Sequence, residues 1–293
     1  MANIIKVKRS GTASATPSSL EHGELALNYA DKTLFFKDAS NNIHDLLNID
    51  CGVVSVAPDP DFASVSLLLH MDGTNGSTTF TDSSSNAFSV TANGDAQIST
   101  AQSKFGGASC LFDGSGDYLS VANSSDFDFG SGSLTIEAWI YIAGNAVADA
   151  DGGRGANILN TWDSAATISG YAFNILGNAS TTGTGLAFDT WSSSNATLYR
   201  ATATVTHAAW HHVAVTVSGG TRRLYLDGTE ISGTTTTINS GYTQANSLGN
   251  AFRVGVTPNT GYPLPFYGYM DDLRVTKGVA RTIVVPTAAF PDQ

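Results

Sequence analysis

The stretch SLTIEAWIYI, Ser133–Ile142, decides the class of the fold. Leu134, Ile136, Ala138 and Ile140 share one side of an extended chain, and Thr135, Glu137, Trp139 and Tyr141 share the other, the period-two alternation of a strand with one face turned to a core. HVAVTV (212–217) alternates in the same way and sets Val213, Val215 and Val217 together. RLYLDGTEIS (223–232) is a strand, an Asp227-Gly228 turn and a return strand, because Asp-Gly tolerates the left-handed conformations that a tight hairpin needs. YMDDLRV (269–275) supplies a further strand, with Asp271 on the same face as Leu273 and Val275 by parity. From about Val65 onward short apolar runs separated by Gly, Ser, Asn and Asp clusters predict an all-β, antiparallel two-sheet sandwich. No fixed-period repeat is present, which excludes a solenoid or propeller.

Composition narrows what such a sandwich does. The chain has 293 residues, 42% of them hydrophobic, enough for a large core. Lys and Arg number 14 against 25 Asp and Glu, a net charge of -11, so the attraction to phosphate on which nucleic-acid and anionic-membrane binding depend is missing. Only Glu21, Glu24, Glu137 and Glu230 are glutamates. The remaining acids are Asp, which favours turns over helices, and helices are therefore expected to be scarce. No run is long and apolar enough to span a membrane, and the first residues lack the apolar segment of a secretory signal, so the chain is expected to be made in a cytoplasm. Cys51 and Cys110 are too few for a disulfide scaffold and read as small apolar fillers.

Residues 1–48 form a separate segment with balanced charge. IIKVKR (4–9), ELALNY (24–29) and TLFFKD (33–38) read as short strands that bring Ile5, Val7, Leu25, Leu27, Leu34, Phe35 and Phe36 to a small apolar surface. So small a unit is marginal alone and calls for copies of itself or a partner surface. Lys6, Lys8 and Arg9 are expected on its solvent face. Residues 49–62, with Pro58 and Pro60, read as a linker, and 63–293 as the main domain.

Four stretches in order, SCLFDGSGDYLSV (109–121), SLTIEAWIYI (133–142), HAAWHHVAVTV with RRLYLDG (207–228) and YGYMDDLRVTKGVAR (267–281), resemble the laminin-G-like, or concanavalin A-like, jelly-roll family. The form ending in DDLRVTKGVAR is similar to domains of tailed-phage virion proteins, and the opening IKVKRSGTASATPSSLEHGELALNYADKTLFFKD is similar to the N-terminal segments of phage fibre proteins. The resemblance implies a jelly-roll sandwich that binds host-surface glycan or protein, mounted by its N-terminus on a capsid or tail and located in the virion; the marginal size of residues 1–48 points to a homotrimer, since short strands from several chains can share a core that one chain cannot make. A head-decoration protein that cements the capsid, and a carbohydrate-active enzyme, are the alternatives.

The family also implies a structural calcium ion. Asp72, Asp82, Asp271 and Asp272 fall where matching members gather its oxygen ligands. Against this, Asp72 and Asp82 suit turns, and Asp271 suits backbone N–H groups or an arginine. Trp162 and Asp163 in LNTWDS, Trp191 in FDTWSSSN and Tyr262 in PNTGYPLPF have the character of a sugar platform on loops, since sugar C–H faces stack on aromatic rings while hydroxyls seek polar groups. Each aromatic equally suits the cover of a sheet face or a subunit contact. Catalysis has little support: Glu137 has no acidic neighbour on its strand, where a glucanase carries paired carboxylates. Asp113 and Asp117 suit a turn, and adjacent His211 and His212 point to opposite faces.

Overall fold

The computed structural model describes residues 7–12, 16–17, 20, 25–28, 33–37, 40, 42–45, 58–143, 154–161, 169–177, 183–192, 195–238, 250–257 and 264–293. The chain divides into two compact units, Met1–Pro58 and Asp59–Gln293.

The first unit holds a four-stranded sheet in the order Val7–Ser10, Leu25–Asn28, Thr33–Lys37 and Ile43–Asp45, with the first pair parallel and the others antiparallel. Its described core is three side chains, Leu20, Ala26 and Phe35. Leu25, Leu27, Leu34 and Phe36 are half-buried, while Ile5 and the Val7 side chain lie outside the described residues.

The second unit is the sandwich that the alternating stretches predict. One sheet has nine strands in the order Gly233–Ile238, Asn195–Val205, Gly183–Ser192, Ser169–Gly177, Arg154–Asn160, Phe252–Val254, Tyr118–Val121, Ser89–Asn93 and Thr79–Thr81. The other has eight: Thr229–Ile231, Thr221–Leu226, Trp210–Ser218, Leu134–Ile142, Tyr267–Lys277, Ser109–Asp113 and Gln97–Ser99, with Val65–Leu69 also on Tyr267–Lys277. All these pairings are antiparallel. Among the described residues the helices are two single 3-10 turns, Phe62–Ser64 and Ser125–Phe127.

Ile136, Ala138, Ile140, Val213 and Val215 from one sheet meet Tyr171, Phe173, Leu186 and Phe188 from the other in one continuous core. Phe127, delivered by its 3-10 turn, stacks on Phe252 at 4.5 Å and lies 5.3 Å from Phe88. Burying each such ring stabilises the sandwich by roughly 2–3 kcal/mol. Cys110 is buried in this core as an apolar filler, and Cys51 lies outside the described residues. The Asp227-Gly228 hairpin is present, with both residues at positive φ.

The final strand departs from simple parity. Glu137 pairs with Arg274 but Trp139 pairs with Asp271, so two residues of the last strand oppose Ala138 alone. Asp272, at φ 50°, takes up this bulge. The extra residue turns Asp271 to the outward face beside Trp139, while Leu273 and Val275 stay in the core. The shared face expected for Asp271, Leu273 and Val275 is thereby corrected.

Candidate functional site

The outward face of the eight-stranded sheet is built by the side chains that the core alternation leaves over. Residues directly opposite on neighbouring strands lie close enough for their side chains to touch, and the register sets Trp210 opposite Tyr141, and Tyr141 opposite Tyr269. The three rings form a row across three strands, with centroids 5.6 Å and 5.7 Å apart. All three residues are half-buried, and Tyr267, two residues before Tyr269 on its strand, is 41% exposed. Gly268 lets the last strand approach: a Cβ there would lie 2.0 Å from the Tyr141 carbonyl oxygen, at a φ of 145°.

Next to this row stand His212, Trp139 and Asp271. Trp139 is covered by the 102–107 loop: Phe105 packs edge-on against it at 5.9 Å, and the Lys104 ammonium lies 3.8 Å from the indole centroid. The loop is fastened by Asp271, whose Oδ2 accepts hydrogen bonds from the Lys104 and Phe105 amides at 2.7 and 3.1 Å.

One step further along, Glu137 is enclosed in ion pairs. Arg274 donates to its Oε1 from Nε at 3.1 Å and Nη2 at 2.8 Å, and from Nη1 to Asp59 at 2.9 Å. Burial pushes the Glu137 carboxyl up, but His212 and the Arg274 guanidinium outweigh it and hold it below its ordinary value. The fixed carboxylate of Glu137 thus belongs to a structural network that it shares with Asp59 through Arg274.

The opposite outward face, on the nine-stranded sheet, is polar at its centre. Leu186 and Phe188 point to the core, so Ala187, Asp189 and Trp191 point away. Asn157 donates to the Asn174 side-chain oxygen at 2.7 Å, and Arg200 pairs with Asp189 at 3.4 Å. Asn157, Asn174 and Asp189 are all at most 1% exposed, so they offer no open surface. Trp191 is 9% exposed and packs with Ala172, Ala196 and Leu198, in the manner of a sheet cover. Trp162, Asp163 and Tyr262 lie outside the described residues. A polar recess of about 210 Å³ beside Lys277 and Asp126 is smaller than ordinary small-molecule pockets.

The four carboxylates expected around calcium are taken up by hydrogen-bond donors. Asp82 accepts from the Leu68, Ser84 and Phe88 amides and from the Ser84 hydroxyl. Asp272 accepts from the Phe290 amide and faces His70 Nδ1 at 2.7 Å. Asp72 takes the Ala108 amide, and burial raises its pKa. Asp271 holds the loop amides as above. Ca²⁺ takes six to eight oxygen ligands, backbone carbonyls and water included, and among the described residues no three His, Cys, Asp or Glu side chains converge as a metal site.

The histidines separate as expected. His211 bridges Thr206 and Asp227 at 2.8 Å on each side, tying a loop to the hairpin, and His212 stacks near Trp139 on the outward face. Asp117 accepts the Asp113 amide at 2.8 Å, and Asp113 accepts the Ser115 amide at 2.7 Å, both in the turn.

Residues 113–282 match the laminin G family model of the concanavalin A-like lectin/glucanases superfamily, more than half of the chain. The chain belongs to that superfamily. The binding domain of Paraclostridial Mosquitocidal Protein 1 is similar at 16% identity and a TM-score of 0.55, over 75% of this chain and 50% of that one. Domain 4 of AbnA, a GH43 extracellular arabinanase from Geobacillus stearothermophilus, solved in complex with arabinotriose, is similar at 15% identity and a TM-score of 0.50, over 75% of this chain and 95% of that one. At these identities the likeness establishes the lectin-type fold. The lectin-like chain spans about half the length of the first of these structures. No curated protein matches it.

The aromatic row stands on strands, whereas the aromatics expected to bind sugar, Trp162, Trp191 and Tyr262, fall on stretches expected to be loops. Alternation already placed Tyr141 outward, and the same parity applied to WHHVAV places Trp210 outward. What alternation lacks is strand adjacency, and only the pairing of Leu134–Ile142 with both Trp210–Ser218 and Tyr267–Lys277 brings the three rings into line.

Proposed function

We propose that this lectin-like protein is a non-enzymatic attachment protein: its sandwich engages a host-surface glycan on the Trp210–Tyr141–Tyr269 row, and residues 1–48 mount it on the capsid or tail of a phage as a homotrimer. The observation that carries the binding reading is the row itself. Half-buried aromatic residues in register across three strands, their ring planes inclined at 58° and 78° to one another, offer ring surface for sugar C–H groups, and the phenol hydroxyls add hydrogen-bonding edges. The arabinotriose complex of the AbnA domain lends support, since a sandwich of this fold there holds a sugar chain.

Supporting the mounting reading are the similarity of IKVKRSGTASATPSSLEHGELALNYADKTLFFKD to phage fibre N-termini and the short strands of residues 1–48, a unit marginal on its own. Light scattering of the full chain is expected to give three times the 30.4 kDa chain mass, and a stable monomer overturns the trimer.

Tyr141→Ala and Tyr269→Ala are each expected to weaken glycan binding by about tenfold, as loss of about 1.4 kcal/mol of stacking demands. A glycan array with the wild type, followed by titration of its best ligand against both variants, measures this. Full affinity in both variants removes the row from the site, and a silent array together with virions that attach normally without the sandwich refutes the binding reading.

A further inference from the structure

The cation beside the aromatic row has no ionic partner among the described residues. Lys104 is half-buried, its ammonium lies 3.8 Å from the Trp139 centroid and 5.7 Å from that of Phe105, and it enters no ion pair there. The carboxylate nearest in the hydrogen-bond scheme, Asp271, spends Oδ2 on the Lys104 and Phe105 amides. The backbone that carries Lys104 is therefore held in place. Gly106 adds to this: at φ 59° it leaves the room that the Asp72 carboxylate fills, where a Cβ would collide with it. A cation placed on an aromatic face is attracted by the ring's quadrupole and needs little reorganisation to accept an anion.

Its position relative to the row follows from strand geometry. Trp139 and Tyr141 are two residues apart on the same face of one strand, so their Cα atoms are about 7 Å apart. The ammonium thus lies over the ring that neighbours Tyr141 on this face of the strand. We propose that the glycan bound here is acidic, with the carboxylate of a uronic or sialic acid residue pairing with Lys104 Nζ while its ring rests on Tyr141. This rests on the glycan reading above and specifies its ligand class. The net charge of -11 opposes polyanions at long range, but at physiological salt that field is screened over about 8 Å, whereas a contact pair is not.

The test uses the full chain and three acidic polymers, polygalacturonate, hyaluronate and polysialic acid, each against its carboxyl-reduced form, followed by tryptophan fluorescence and calorimetry. At least one acidic polymer is expected to bind about tenfold more tightly than its reduced form. Lys104→Gln is expected to abolish that preference while leaving affinity for the reduced form unchanged, and Lys104→Arg to keep it. Equal affinity for the acidic and reduced forms, an unchanged preference in Lys104→Gln, or no binding by any of the three overturns the proposal. A neutral glycan that binds wild type and is lost in Tyr141→Ala leaves the row a glycan site even so, and separates the failure of acid selectivity from the failure of the row.

Discussion

Arg274→Met is expected to destabilise the sandwich by about 3–5 kcal/mol at pH 7, because it leaves two buried carboxylates without their shared cation. Glu137 and Asp59 are 2% and 7% exposed, and Arg274 bridges them. The other side of Asp59 is held by Arg281 at 2.7 Å, and the Arg274 guanidinium lies 3.8 Å from the Phe290 ring centroid. The Asp59 amide donates to the Gln293 carbonyl at 2.9 Å. One arginine thus ties the first residues of this unit, its last strand and its C-terminal segment to the central strand. Urea unfolding measures the loss, and combining Arg274→Met with Glu137→Gln should recover part of it, since the double variant no longer buries an unpaired charge there. A loss below about 1 kcal/mol would mean that water or another cation already serves these carboxylates. Burial raises the Asp59 pKa, but Arg281 and the Asp61 amide outweigh it and leave it below its ordinary value, as His212 and Arg274 do for Glu137. Both contribute stability that is present above their unfolded values and lost as pH falls through their lower folded ones.

Most of the sandwich is legible in its alternation. SLTIEAWIYI and HVAVTV each separate a core face from an outward face, and the structure keeps those assignments through Ile140 and Val217. The Asp227-Gly228 turn is equally local. Parity fails at Asp271, where one extra residue in the last strand exchanges the faces. Nothing in YMDDLRV announces that bulge, since Asp adopts positive φ more readily than most residues but does not require it.

The site was less legible than the fold, for a related reason. Trp210, Tyr141 and Tyr269 are 69 and 128 residues apart in sequence from one to the next, and become neighbours only once three strands pair in this order. A reading by residue type finds Trp191 as readily, yet Trp191 is packed against Ala172 and Ala196. The calcium expectation turns on chemistry that sequence does not carry: carboxylates suited to Ca²⁺ are equally suited to backbone amides, and here they accept from the amides of Leu68, Ser84, Phe88, Lys104, Phe105 and Phe290.

The same carboxylates make the protein sensitive to pH near neutrality. Burial is the largest cause that lifts Asp271 from its ordinary value of 3.8 to about 7. The Lys104 and Phe105 amides counter it, and the fields of Asp272 and Asp72 reinforce it. Between those two pH values the folded chain holds a proton that the unfolded chain has released, so stability falls as pH rises from about 4 to about 7, by on the order of 4 kcal/mol in all. His70 acts in the same direction. Burial opposes its charge, but the hydrogen bond to Asp272 and the fields of Asp272, Asp292 and Asp72 prevail and raise its pKa. Its contribution is full below the unfolded value and is lost as pH climbs through the folded one. Melting temperature at constant ionic strength is therefore expected to fall from pH 5.5 to pH 8.5. Asp271→Asn keeps an oxygen for the two loop amides while removing the ionisable group, so the variant should melt above wild type at pH 8 and approach it at pH 4. A wild-type melting temperature that is level or rising across this range, or an Asp271→Asn protein less stable than wild type at pH 8, would show that the carboxylate is ionised in the fold at little cost.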